Sequence, residues 1–199
     1  MSIAFDFELD VENDFDLQSL TEVELNDCKE IAQKRVSEQL DDAKNGDRRA
    51  SNSYGGRESV EARSVELRVE DAYIGTLAEL IASKLTKCQW SKEMGQYKGN
   101  KNSDLKPIFR KQASKCEVRG TRSESIPHRP HQDVNKLDSI CIAVTNLPNG
   151  RLCKVGWMSF ETMQTLANNH PEWKGGKEGS PYYAIPFEQF SRDFSEFGN

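Results

Sequence analysis

At 199 residues the chain is long enough for one domain with a real core and short for two, and its 36% apolar and 30% charged content leaves room for a solvated arm beside that core. The net charge of −5 hides an asymmetry, because residues 1–48 carry 14 acids against 5 Lys and Arg, whereas residues 84–136 carry 13 Lys and Arg against 5 acids. The acidic average therefore does not exclude DNA as a partner, although a solvated basic face explains the same counts.

No run reaches bilayer-spanning length, and MSIAFDFELD carries acids where a secretory leader carries bases, so no membrane association and a cytoplasmic location are expected. Cys28, Cys88, Cys116, Cys141 and Cys153 form an odd set without a C-x-x-C pair, which points to reduced thiols in the same compartment.

In chain order, residues 1–20 read as an acidic arm in which FDFELDVENDFDLQSL alternates acids with apolar residues, the pattern of an arm or a marginal edge strand. Residues 21–199 are expected to form a single domain. Thr21 followed by Glu24 makes a capping box, and Val23, Leu25, Ile31, Val36 and Leu40 give an amphipathic helix to about Ala43. Asn45-Gly46 ends it, and a Gly-, Ser- and Arg-rich mobile loop is expected at about 46–64.

VEDAYIGTLAELIASKL, from 69 to about 85, reads as a buried helix. Around Glu79 its helical neighbours Ala72, Gly75, Thr76, Ala82 and Ser83 are small, which predicts that this face meets a sheet closely while Glu79 reaches past it. A polar connection through Trp90 and Tyr97 leads to Asp104, and KCEVRGTR reads as a short strand. SICIAVTNL is apolar throughout, as a strand covered on both faces is. After a Pro148-Asn149-Gly150 turn, RLCKVGWMSF is a further strand, FETMQTLANN a short helix and SPYYAIPFEQF a final edge strand. The order predicts an α/β (α+β) domain with a mixed central sheet flanked by helices.

Strand alternation places Lys115, Glu117 and Arg119 on one row, an acid beside a fixed cation. Phosphodiester hydrolysis needs hard oxygen ligands for Mg²⁺ and a positive group near the phosphate, which Asp104, Glu117 and the adjacent cation are suited to supply, with Glu79 completing the shell. Each has a plainer explanation: a surface helix residue for Glu79, a turn residue for Asp104, and an ion pair with Arg119 or Lys115 for Glu117. His128 and His131 have ligand-like spacing but no Cys nearby, so zinc is not expected. Phosphate loops and a nucleophile elbow are absent.

The run Gly75 to Glu79, then Asp104, then Glu117-Val118-Arg119-Gly120-Thr121-Arg122, and later Val155-Gly156-Trp157 and Tyr183-Ala184-Ile185-Pro186, resembles small phage and bacterial proteins related to the PD-(D/E)XK nucleases. The resemblance implies a restriction-endonuclease-like core carrying Mg²⁺ or Mn²⁺ if catalytic. Glu79 then matches the helix glutamate, Asp104 the metal aspartate and Glu117 the glutamate of the E-x-K pair, with Arg119 beside them. It implies a metal-dependent nuclease that cuts DNA, in the host cytoplasm if phage-encoded; the basic residues around the site, Lys111, Lys115, Arg122 and Arg129, are the expected DNA contacts.

Two departures separate the chain from that pattern: Arg119 stands where the motif has Lys, and no Pro precedes Asp104. Arginine stays protonated and cannot act as a base. The alternative is a catalytically silent module of the same fold that binds nucleic acid, or a protein through its acidic arm, as an inhibitor of a host complex would.

Overall fold

Thr21 and Glu24 perform the reciprocal capping that their spacing predicts. The Glu24 N–H donates to Thr21 Oγ1 at 3.2 Å and the Thr21 N–H donates to Glu24 Oε2 at 2.8 Å, which starts helix α1, Glu22–Lys44, directly after the cap. The computed structural model describes residues 14–44, 64–86, 90, 105, 115–177 and 180–194. The loop expected at about 46–64 lies outside them except for Ser64, and so do Asp104, Lys111 and Cys88.

Ser64 moves the second helix upstream of its expected start. Its Oγ accepts the Leu67 N–H at 3.3 Å, and α2 runs over Val65–Thr86. Apolar periodicity alone dated the start too late, because Val65 and Leu67 are half exposed and do not extend the buried stripe.

The chain then builds two sheets where one was expected. The larger holds β1 (Asp14–Asp16), β2 (Lys115–Gly120), β4 (Ser139–Val144) and β5 (Leu152–Ser159) in the order β1-β5-β4-β2. β2 and β4 are parallel, with Glu117 opposite Cys141 and Arg119 opposite Ala143, whereas β5 is antiparallel to both its neighbours. All six residues of β4 are buried, as its unbroken apolar run predicts for a strand with both faces covered.

The smaller sheet joins β3 (Ser125–His128), β6 (Lys174–Lys177) and β7 (Ser180–Pro186) in the order β3-β7-β6. β7 is thus the middle strand of a small sheet, not the edge strand that Pro186 suggested. Pro186 stands at the last ladder position, opposite Ser125, where a missing N–H interrupts no further pairing. The partners SIPH and KGGK have too little apolar alternation to be read as strands from sequence.

A parallel pair needs a crossover. Between β2 and β4 it consists of β3 and the helical turn α3, Pro130–Asp133. Helix α4, Phe160–Asn169, follows β5 and is capped by Ser159 Oγ, which accepts the Thr162 N–H at 3.0 Å. The result is a mixed α/β arrangement with four α-helices and two sheets among the described residues. No described helix is long and apolar enough to cross a membrane.

Two cores lie on the two sides of the larger sheet. On one side, Ile74, Leu77, Ala78 and Ile81 of α2 pack with Cys116, Val118, Ile140, Ile142, Val144, Cys153 and Val155. On the other, Cys141, Ala143 and Met158 pack with Phe160 and Met163 of α4 and with Ile126, Ile185 and Phe187. The acid-apolar alternation of the arm resolves in β1: Phe15 packs against the first core, while Asp14 pairs with Arg192 at 2.7 Å and Asp16 with Arg151 at 3.4 Å.

Candidate functional site

Alternation along β2 sends Cys116 and Val118 to the helix side and Glu117 and Arg119 to the side of α4. There Arg119 lies at the centre of a charge network. Its Nε and Nη2 each approach Glu117 Oε1 at 2.9 Å, its Nη2 donates to Asp133 Oδ1 at 2.7 Å, and its Nη1 donates to the Pro127 carbonyl. The guanidinium sits 4.9 Å from the centre of the Phe160 ring, a cation over an aromatic face.

Asp133 is the other hub. Besides Arg119, it accepts the Arg129 N–H through Oδ2 at 2.9 Å. His128 Nδ1 lies 3.1 Å from the same oxygen. Burial would raise the Asp133 pKa, yet His128, Arg119 and the Arg129 N–H more than offset it and hold the carboxyl far below the ordinary carboxylate range. Lys136 completes the network: its Nζ pairs with Glu117 Oε2 and stands 3.5 Å from Asp133 Oδ1.

Burial opposes the charge on Arg119, and its neighbours raise its pKa above the ordinary value nonetheless. Cys141 is among these neighbours, but burial pushes its thiol up to about 12, so it is neutral at physiological pH. Glu117 and Asp133 therefore hold the guanidinium charge there. Arg119 is locked in place by acids on two elements and cannot serve as a base.

Glu79 is placed elsewhere. Both its oxygens accept from Arg35 Nη2, at 2.9 and 2.7 Å, in the seam between α1 and α2. Burial raises its pKa, opposed by Arg35. This seam is on the helix side of the sheet and Glu117 is on the α4 side, so the expected convergence of the two acids does not occur.

The close approach expected on the Glu79 face is also found at another position. A Cβ at Gly75 would meet nothing within 4 Å, whereas one at Gly120 would lie 2.7 Å from the Ile74 carbonyl oxygen and 2.8 Å from Ala78 Cβ. The glycine that lets α2 approach the sheet is on the strand, not on the helix.

Of the expected DNA contacts, Lys115 is exposed and Arg129 half-buried. Arg122 reaches back to α2, pairing with Glu70 Oε1 and Asp71 Oδ1, each at 3.0 Å. The residues missed from the sequence are Asp133 and Lys136. Their only local signal is the Pro130 turn, which places Asp133 under the Arg129 N–H; their meeting with Glu117 depends on the crossover. His128 and His131 part company, His128 being fully buried and His131 exposed.

Among the described residues no group of three or more His, Cys, Asp and Glu side chains has the arrangement of a metal site. Asp133 is engaged by Arg119 and the Arg129 N–H, and Glu117 is bridged by Arg119 and Lys136. Family models, curated proteins and solved structures give no match to this chain.

Proposed function

We propose that the protein is a nucleic-acid-binding module on a restriction-endonuclease-like core whose acids are held by the chain's own cations rather than by Mg²⁺. The observation that carries this reading is the engagement of both Glu117 oxygens, Oε1 by Arg119 and Oε2 by Lys136. A carboxylate neutralised in this way no longer repels a phosphate backbone. Lys115 and Arg129 add cations on the same strand and crossover, within the segment whose Lys and Arg outnumber its acids.

A Mg²⁺- or Mn²⁺-dependent nuclease is the second reading. It is favoured by the position of Lys136, whose side chain is 36% exposed and can leave Glu117 at little cost. Binding of a protein through the acidic arm would fall to Asp6, Glu8, Asp10 and Glu12, outside the described residues, since Asp14 and Asp16 are already paired.

Plasmid and single-stranded DNA are incubated with the protein and Mg²⁺ or Mn²⁺, alongside Glu117→Ala, and duplex binding is measured against salt. The binding module leaves both DNAs intact. For two phosphate contacts, by Lys115 and Arg129, its duplex affinity falls roughly twelvefold between about 50 and about 200 mM salt. Cleavage abolished by Glu117→Ala establishes the nuclease reading instead, and the absence of salt-dependent binding overturns the DNA-binding one.

A further inference from the structure

His128 closes strand β3, and the alternation of Ser125-Ile126-Pro127-His128 turns its ring to the same side as Ile126. Both residues are fully buried, in the core beside α4, where the His128 ring lies 6.4 Å from that of Phe160. A polar ring without access to water must be satisfied by its neighbours.

Both of those neighbours are acceptors. Nδ1 lies 3.1 Å from Asp133 Oδ2, on a carboxyl held far below the ordinary carboxylate range and therefore ionised, and it makes no hydrogen bond to any other described group. Nε2 lies 3.2 Å from Gln164 Oε1. Which end of the Gln164 amide faces the ring is set one turn along α4, where Gln164 Nε2 donates to Asn168 Oδ1 at 3.0 Å. A neutral imidazole has one N–H and one lone pair, so either tautomer would turn a lone pair on an oxygen.

We infer that His128 is a proton-dependent tie between the crossover and α4: its ring carries a proton on each nitrogen, donating through Nδ1 to Asp133 and through Nε2 to Gln164. Arg119 and Lys136 stand at the other oxygen of Asp133, at 2.7 and 3.5 Å, and both pair with Glu117. Arg129, the next residue, meets Asp133 through its backbone N–H. Tyr183 lies opposite His128 on β7, and the Cys141 thiol is kept neutral by burial. The carboxylates of Glu117 and Asp133 balance Arg119 and Lys136 without the ring proton, and the group carries one positive charge with it. Retention of that proton in the core therefore depends on the two acceptors.

Loss of the proton has a defined consequence. Nδ1 keeps its hydrogen against the carboxylate, so Nε2 gives its proton to solvent, and the lone pair left there repels Gln164 Oε1. The Gln164 amide then turns its NH2 to the ring and withdraws it from Asn168, which is exposed. A protonation change inside the core is thereby passed to the surface of α4.

The ring nitrogens of the ¹⁵N-labelled protein are followed by NMR from about pH 5 to about pH 9, together with the side-chain NH2 signals of Gln164 and Asn168, for the wild type and Gln164→Leu. The His128 ring is assigned among the chain's three histidines by correlation to its backbone, and by the loss of its signals in His128→Asn. Thermal unfolding confirms that Gln164→Leu is folded.

At about pH 7, where an unperturbed imidazole is mostly neutral, both His128 nitrogens are expected to carry protons. As pH rises, Nε2 alone loses its proton, and the Gln164 and Asn168 signals move with the same midpoint. Gln164→Leu takes away the acceptor at Nε2 and moves that loss to lower pH, which a ring that only fills space would not show. A single protonated nitrogen in the wild type at about pH 7, or two that persist to about pH 9, overturns the inference. Amide signals that stay still while the ring titrates, or an unmoved midpoint in folded Gln164→Leu, overturn the tie to α4.

Discussion

Asp133→Asn isolates the internal role of the charge network from its solvent-facing side. The substitution keeps the shape and removes the negative charge between Arg119, His128 and the Arg129 N–H. Asp133 is buried and Arg119 largely so, with side-chain exposures of 2% and 13%. Arg119 keeps Glu117 in this variant but loses its most buried partner, so the cost is expected at the lower end of the range for breaking a buried pair, about 3 kcal/mol. In a chain of this size each kcal/mol lowers Tm by about 2–4 °C, so a fall of about 10 °C is expected.

Glu117→Gln provides the contrast. Its partner Lys136 is 36% exposed and Glu117 itself 27% exposed, so the Lys136 half of its pairing lies in the surface range of about 0–1 kcal/mol. Arg119 retains Asp133, and the total cost is expected to stay near 1 kcal/mol. Urea unfolding followed by circular dichroism measures both. A loss below 1 kcal/mol for Asp133→Asn, or a larger loss for Glu117→Gln than for Asp133→Asn, would refute the division into an internal hub and an accessible rim.

The buried pair between helices invites a double-mutant cycle: Glu79→Leu alone takes the buried carboxylate from Arg35 and should cost about 3 kcal/mol, while Arg35→Met with Glu79→Leu should recover most of it. Chemical denaturation reads both, and additivity of the single losses would show that the pair is not coupled. Gly120→Ala is expected to cost about 1–3 kcal/mol by pressing a methyl against the Ile74 carbonyl. Gly75→Ala, with open space at its Cβ and a mid-helix position, should stabilise by about 0.5–1 kcal/mol. Thermal melts showing the reverse order would reject the assigned close approach.

The acid response has a definite sign. The folded pKa of Asp133 is depressed, so its contribution is present above the unfolded value of 3.8 and is lost as pH falls through the range below it. The folded pKa of Glu79 is raised, so its contribution is fully present below its ordinary 4.5 and is lost as pH rises through the folded value. Asp133→Asn should therefore flatten the acid limb of stability against pH, whereas Glu79→Gln should steepen the net fall toward acid; unchanged slopes in urea titrations from about pH 2 to about pH 6 would reject both assignments.

The capping box, the two long helices, the alternation of β2 and the burial of β4 were legible in the residues because each depends on contacts a few positions apart or on a single periodicity. The alternation before the first helix left an arm and a marginal edge strand open, and the pairing of Asp14–Asp16 with β5 decided between them for those three residues. Glu117 and Arg119 could be placed on one row from spacing alone. Which side of the sheet that row faces could not be read, since the answer depends on whether α2 or α4 covers it.

Tertiary structure decided the rest. It gave Glu79 to Arg35 across a helix seam, brought Asp133 and Lys136 to Glu117 through a crossover, and made β7 a central strand by pairing it with two segments too short and polar to announce themselves. The physical reason is common to all three. Periodicity assigns a side chain to a face of its own element, but ion pairs and ladder bonds join elements distant in sequence, and their partners are chosen only when the layers stack.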